Sequence, residues 1–471
     1  MTLWTSTDAA RATAGQAMRD WQASGLSIDT RTLQKGDLFV ALTAARDGHD
    51  FVAQALEKGA AAAMVSRIPD GLPKDAPLLV VADVLDGLRA LGEAGRARTK
   101  ARVIGVTGSV GKTSTKEMLR AMLAGFGKVH AAEASFNNHW GVPITLARMA
   151  PDADFAVIEI GMNHPGEIAP LAQLARPHVG LITMIAPAHL EAFDSIEGIA
   201  HEKASIYDGL EPGGHAIYPC DLPTSPILAA KAAACGYPVP FGESSDVVRM
   251  QDITLTDTAL VLRAQLGQML LAVRLVDAGA HFAMNGLACL AVAQVLGLDL
   301  PRAALALGRW APPAGRGLRQ TIMLDPVEDL SFTLIDDAFN ANPASLRAAL
   351  DMLARLEPGR TTAGRKGRRI AILGDMLELG PTEQAEHEAI AALPPTAALD
   401  QVHCVGHRMG WLAPKLPLRQ RGRVVDNADD LVQIAHLLVG SGDVVLVKGS
   451  KSSFVSRIVT ALRKLDTTPQ T

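Results

Sequence analysis

Cysteine is scarce, with four in 471 residues: Cys220, Cys235, Cys289 and Cys404 are scattered and form no CxxC pair. That spacing argues against a disulfide framework or a zinc site, and reduced, buried thiols are expected instead. Long apolar runs are also missing. None approaches the ~20 residues that span a bilayer, and the longest candidate, Gly286 to Leu298, suits a buried helix. No block of one charge occurs: 45 basic and 49 acidic residues leave a net charge of −4 at pH 7. No electrostatic footprint for nucleic acid or an anionic membrane is therefore present. The opening residues MTLWTSTDAARATAG lack the basic region, apolar core and small-residue cleavage site of a secretory signal, so a cytoplasmic location is expected. Sustained heptads and repeats of solenoid period are absent as well.

What is present is a globular composition, 48% hydrophobic and 20% charged, over a length that fits about three domains of ~150 residues. Short apolar runs alternate with helical patterns, the signature of parallel sheets wrapped by helices, and the expected class is α/β. Candidate strands are Leu38 to Leu42, Leu78 to Val81, Val103 to Val106, Phe155 to Ile160, Val179 to Met184, Leu334 to Asp336, Ile370 to Leu373 and Val444 to Val447. Asp83 to Lys100 reads as a helix leading into the strand RVIGVT, and Trp310 to Gly317 (WAPPAGRG) is a Pro/Gly stretch that cannot continue a helix. These seams predict domains over residues 1–84, 85–313 and 314–471. The tail after Leu465 is expected to fray.

One segment carries chemistry by itself. Val103 to Thr115, VIGVTGSVGKTST, runs from a β-branched strand through glycines into a helix whose Met118, Leu119, Met122 and Leu123 share a face. Such a loop wraps phosphate oxygens in backbone N–H groups from Gly108 to Ser114 and adds the positive end of the helix dipole. Lys112 supplies a mobile cation, and the Thr113 hydroxyl suits Mg²⁺. A nucleoside triphosphate site follows, although Val106 occupies the position where the strict spacing asks for a glycine; a βα turn that binds nothing is the alternative. Glu159 ends the apolar strand FAVIEI, where open α/β sheets hold ligands, and a lone carboxylate there suits a hard cation or a solvated strand end.

The loop TGSVGKTSTK resembles that of the Mur ligases, ATP-dependent amide-bond formers of cell-wall precursor synthesis. SIDTRTLQKGDLFVAL (Ser27 to Leu42), DGHDF (Asp47 to Phe51), SFNNHWGVPITL (Ser135 to Leu146), IEIGMNHPGEI (Ile158 to Ile168), DDAFNANPAS (Asp336 to Ser345), LGDMLELG (Leu373 to Gly380) and LVKGSK (Leu446 to Lys451) extend the likeness over all three proposed domains. NANP and GDMLELG point to the member that joins D-alanyl-D-alanine to UDP-N-acetylmuramoyl-tripeptide. The rivals are a sister ligase, folylpolyglutamate synthase, and a P-loop ATPase that forms no product bond. The sequence departs from the pattern at Ser114, where threonine is common, at Phe339, where tyrosine is usual, and around Lys203, where HEKASI replaces AKGEI.

The resemblance implies a central P-loop ATPase domain and a C-terminal Rossmann-like domain that closes on ATP. It makes Glu159 and His189 Mg²⁺ ligands beside Thr113, and Lys203 a lysine carbamylated by CO₂, with Lys112, His189 and Lys203 serving catalysis. Gly108, Ser109, Val110, Gly111, Lys112, Thr113 and Ser114 would hold the phosphates, and Asn285 the adenine, with a core or capping hydrogen bond as its alternative. Arg316 and Asp337 would reach phosphate and ribose. Ser27, Thr30, Arg31, Asp47, Gly48 and His49 fall in motifs used for the UDP end. Asn137 and Asn138 would touch the sugar-peptide, with capping or turn roles as the alternative. Asn340 and Asn342 would shape the C-terminal face of the site, and Lys448 with Lys451 would hold the dipeptide carboxylate. Neither nucleic acid nor membrane insertion is implied. The sequence is silent on oligomeric state, and a monomer is the default expectation.

Overall fold

The computed structural model describes residues 2–187, 191–256, 258–276, 279–360 and 364–468. Besides a two-stranded antiparallel pair, Trp4–Thr5 with Gln22–Ala23, three larger sheets follow one another among the described residues. The first has five strands in the order Gln16–Ala17, Leu78–Val80, Ala62–Val65, Asp37–Val40 and Gly25–Ser27, all parallel except Gln16–Ala17. The central sheet has nine. From Val129–Ala131 it runs in parallel through Phe155–Glu159, Arg102–Thr107, Val179–Ile182, His215–Pro219, Tyr237–Gly242 and Val248–Leu255. It then turns antiparallel through Ala259–Leu266 and Met269–Val276. The third has six strands, in the order Leu318–Asp325, Leu330–Asp337, Val444–Lys448, Arg369–Gly374, Gln401–Val405 and Arg421–Val425. Only the first pair is antiparallel.

The eight expected strands all fall on observed ones, because a strand of a parallel sheet covered on both faces is a continuous apolar run. The antiparallel extension was not among them. Ala259–Leu266 (ALVLRAQL) alternates buried and open positions over much of its length, so it offers no unbroken run to detect.

The helix expected at the first seam spans Val84–Ala97, with the Asp83 carboxylate accepting the Asp86 N–H as its N-cap. Val84, Leu88 and Leu91 sit in one core with Leu26, Leu38 and Met64 of the first sheet and with Ile144 and Ala147 of the central unit. Polar bolts reinforce this joint. Arg148 donates from Nε to the Leu26 carbonyl at 2.8 Å, Arg98 reaches the Leu3 carbonyl at 2.6 Å, and Trp4 Nε1 donates to Ala147 O at 2.9 Å. At the second seam Gly315 and Gly317 adopt φ of +76° and +90°, a left-handed turn that residues with a Cβ resist. The backbone there is tied to the third sheet through Gly317 N to Asp336 O and Phe339 N to Gly315 O.

Two expectations need correction. Cys289 and Cys404 are buried, but Cys220 and Cys235 are only half-buried, and all four are free thiols. The tail does not fray at once after Leu465, since Thr467 bonds the Met323 carbonyl through both its N–H (2.8 Å) and its hydroxyl (2.9 Å).

Candidate active site

The glycine loop leaves the strand Arg102–Thr107 and enters the helix Lys112–Leu123. Gly108 (φ +153°) and Gly111 (φ +87°) are fixed by contact as well as conformation. A Cβ on Gly108 would lie 2.0 Å from Thr183 Oγ1, and one on Gly111 2.8 Å from Asn285 Oδ1. The neighbouring strand end braces the loop: Thr183 Oγ1 donates to Val110 O (2.6 Å), Ser109 N to Met184 O (2.8 Å) and Ser109 Oγ to Ala186 O (2.8 Å). Lys112 curls back to donate to Gly108 O at 2.6 Å. Burial lowers its pKa, with Glu159 opposing and Arg316 reinforcing that shift. Ser114 is buried in the first turn of the helix.

A polar cluster stands beside the loop. Thr113 Oγ1 donates to Glu159 Oε1 at 3.2 Å and lies 3.2 Å from Ser135 Oγ, and Asn137 Nδ2 donates to the same Glu159 oxygen at 2.8 Å. Glu159 Oε2 is buried with no hydrogen-bond partner among the described residues. An unsatisfied buried carboxylate oxygen among hydroxyls is a hard-oxygen donor set that fits Mg²⁺, which takes one or two carboxylates and completes its shell with phosphate and water. Asn138 Oδ1 accepts the Gly141 N–H at 2.9 Å in the turn that enters the helix Gly141–Ala147, which is its alternative reading.

Lys203 lies in the helix Ile196–Ala204, fully buried, and its Nζ has no hydrogen-bond partner among the described residues. Its pKa falls well below the ordinary value, first through burial and then through the Lys112 charge, against a smaller pull from Glu202. A neutral amine is the form that adds to CO₂, so the residue fits the carbamate expectation. His189 lies outside the described residues. Among the described residues, no group of three or more His, Cys, Asp or Glu side chains is placed to hold a metal.

Arg316 of the third unit reaches this cluster. Arg316 Nη2 donates to Thr113 Oγ1 at 3.1 Å, its guanidinium sits 4.1 Å from the Phe339 ring centre, and its buried Nε has no hydrogen-bond partner among the described residues. Phenylalanine therefore keeps the ring face that the arginine needs. Asp337 accepts from Lys448 Nζ at 2.7 Å, and Lys448 also donates to Asn340 O at 3.0 Å. Burial raises the Asp337 pKa, and Lys448 and Arg316 oppose that rise. Lys448 is buried and committed to these partners, whereas Lys451 is exposed. Asn342 caps the helix Pro343–Arg355 in a capping box with Ser345, and Asn340 Oδ1 accepts Ala341 N–H at 3.0 Å. Between the units, a cavity of about 400 Å³ is bounded by Leu255, Thr256 and Gly279 to His281 on one side and by Ala348, Asp351, Met352 and Arg355 on the other.

The first-unit residues gather in two adjoining loops. Ser27 is buried and donates to Asp29 O, Thr30 donates to Gln54 Oε1 at 2.8 Å, and the exposed Arg31 pairs with Asp29 at 2.5 Å. Asp47 caps the turn at Gly48–Phe51 and bonds His49 Nδ1 at 2.7 Å, which holds its carboxyl far below the usual range. His49 Nε2 accepts the Ser66 N–H at 3.0 Å, so the shared proton sits on Nδ1. A Cβ on Gly48 would come within 2.5 Å of the Ala41 and Leu42 backbone. Sequence reasoning missed Ser135, Lys116 and Thr183. Ser135 opens the quoted motif SFNN, so its place there was a signal, whereas Thr183 acts through a strand end that only the fold brings to the loop.

A braced phosphate loop, a buried carboxylate and an arginine delivered from a third α/β unit define a nucleotide-using enzyme that works at a domain junction. Comparison with known proteins makes this specific. The Mur ligase family, catalytic domain, matches residues 22–99; the Mur ligase middle domain, 106–293; and the Mur ligase, glutamate ligase domain, 324–451. The chain is 33% identical over 443 residues to the UDP-N-acetylmuramoyl-tripeptide--D-alanyl-D-alanine ligase of Bacillus subtilis, covering 92% of each. Crystal structure I of MurF from Acinetobacter baumannii aligns at a TM-score of 0.82 and 30% identity over 98% of this chain and 99% of that one. MurF ligase from Thermotoga maritima in complex with ADP aligns at 0.75 and 25% identity over 94% and 97%. The chain belongs to the Mur ligase family.

Proposed function

We propose that this chain joins D-alanyl-D-alanine to UDP-N-acetylmuramoyl-tripeptide at the expense of ATP, forming ADP and phosphate in peptidoglycan precursor synthesis. The observation that carries the reading is the pair of buried atoms beside the phosphate loop, Glu159 Oε2 and Lys203 Nζ, that have no hydrogen-bond partner among the described residues. Both are costly to fold around unless ligands complete them. The similarity to D-alanyl-D-alanine-adding ligases selects among chemistries that share such a loop.

Residues 85–313 hold ATP, residues 1–84 the UDP end and residues 314–471 close on the nucleotide and take the dipeptide. The terminal carboxylate of the tripeptide attacks the γ-phosphorus, and the bond to ADP breaks, leaving an acyl phosphate. The dipeptide amine then adds to the acyl carbon, and the tetrahedral adduct loses phosphate to leave the amide. Lys112 and the loop N–H groups from Gly108 to Ser114 offset charge on the moving phosphoryl group, and Arg316 reaches the same oxygens from the third unit. Thr113, Glu159 and His189 would hold Mg²⁺ together with a carbamate on Lys203, formed from the neutral amine and CO₂ with release of one proton. Mg²⁺ supplies Lewis-acid neutralisation of phosphate charge when bound.

Asn285, beside Gly111, and Asp337 serve the nucleoside end. Ser27, Thr30, Arg31, Asp47, Gly48 and His49 line the UDP side, and Asn137 and Asn138 face the sugar-peptide. Asn340 and Asn342 shape the C-terminal face, Lys451 offers a cation to the dipeptide carboxylate, and Lys448 acts through Asp337. We propose a cytoplasmic location and a monomer for this reaction. Separately, no helix among the described residues is long and apolar enough to cross a membrane.

Protein mixed with Mg²⁺, ATP and both substrates is expected to yield the pentapeptide product by mass spectrometry, with one phosphate per amide. Phosphate release that does not depend on the dipeptide, with no product, would overturn the reading.

A further inference from the structure

Three lysines are among the largest fully buried side chains: Lys203, Lys448 and Lys116. The first two have roles above. Lys116 follows Lys112 by one helical turn, and its ammonium is engaged on several sides. It donates to Ala132 O at 2.6 Å and to Ala134 O at 3.2 Å, lies 3.2 Å from Glu117 Oε1, and stands 4.0 Å from Glu159 Oε2. The last distance is an ion-pair approach rather than a hydrogen bond. Ala132 and Ala134 begin the segment that presents Ser135 to Thr113 and Asn137 to Glu159. An ammonium is costly to bury, and a helix lysine ordinarily keeps its head in water. Here it ties the end of one strand to the carboxylate at the end of the next.

We infer that Lys116 is a positioning residue for the divalent-cation site: it fixes the 132–137 segment and the Glu159 carboxylate so that their oxygens converge where the cation binds. It touches neither phosphate nor reacting atoms. This inference rests on the reading that Thr113 and Glu159 hold the cation.

The test measures binding rather than turnover, by calorimetry with Mn²⁺ as probe in the presence of ADP, and with ADP alone. Lys116→Met keeps the chain length and removes the charge. It is expected to weaken Mn²⁺ binding to the ADP complex by roughly ten-fold or more, the usual effect of losing a partner behind a ligand, while affinity for ADP without metal stays unchanged. Unchanged Mn²⁺ affinity, or an equal loss for metal-free ADP, would overturn the inference. If Lys116→Met does not fold, Lys116→Gln asks the same question by keeping a donor near the Ala132 and Ala134 carbonyls without the charge, with the same two outcomes. Glu159→Ala separates the two levels. If it also leaves Mn²⁺ affinity intact, the cation-site reading itself fails; if it alone weakens Mn²⁺, only the role of Lys116 falls.

Discussion

Lys203 carries a folding cost that the apo protein bears without return. Its amine has a depressed pKa in the fold, so at a pH between the folded and unfolded values the unfolded chain binds a proton that the folded chain does not. That penalty is absent above the unfolded pKa of about 10.4 and deepens as pH falls toward the folded value. Lys203→Met is therefore expected to raise the thermal midpoint of metal-free, CO₂-depleted protein while lowering ligation by roughly 10²-fold or more. A midpoint that falls would show that the amine is satisfied in the fold. Glu159 could be found in the sequence because it closes an apolar strand next to the phosphate loop. Lys203 could not, because a lysine in HEKASI looks like any solvated helix lysine until the helix is packed, and only the family likeness singled it out. Asn138 and Asn342 show the converse: motif residues whose side chains are taken up by a turn entering a helix and by a helix cap.

At the scale of elements, the two outer strands of the third sheet show how a side chain can stand in for a ladder bond. The pairing of Gln401–Val405 with Arg421–Val425 slips between Val402 and Cys404, and His403 Nδ1 accepts the Arg423 N–H at 2.9 Å across the irregularity. Burial, with the charges of Arg368 and Arg423, lowers the His403 pKa to about 4. Because this value lies below the unfolded one, the group's contribution is intact above about pH 6.5 and is lost as pH falls toward 4. His403→Asn keeps an acceptor near Nδ1 without the titration. Between pH 7 and pH 5 the parent is expected to lose on the order of 2 kcal/mol more stability than this variant in urea unfolding, and parallel losses would contradict the assignment. Parallel strands were legible as apolar runs. Strands such as Arg421–Val425 (RGRVV), at the sheet edge and largely exposed, were not, since nothing in their composition demands burial.

For the whole molecule, two joints behave differently. The first and central units share a core around the helix Val84–Ala97, whereas the third unit comes to the phosphate loop through Arg316. The sharing of that helix by two units was not readable from sequence, because both of its partners are distant in the chain. Arg316→Ala should lower kcat by about 10²–10³-fold through loss of a phosphate-directed donor, with the binding of the UDP substrate unchanged in calorimetry. An equal loss in UDP-substrate affinity would instead make the residue a general strut. The central claim is that the tripeptide acid is phosphorylated before the amide forms, and oxygen tracing reads this directly. With ¹⁸O in the terminal carboxylate of UDP-N-acetylmuramoyl-tripeptide, one labelled oxygen should appear in each phosphate released with product. Phosphate free of label, alongside normal amide formation, would contradict the account.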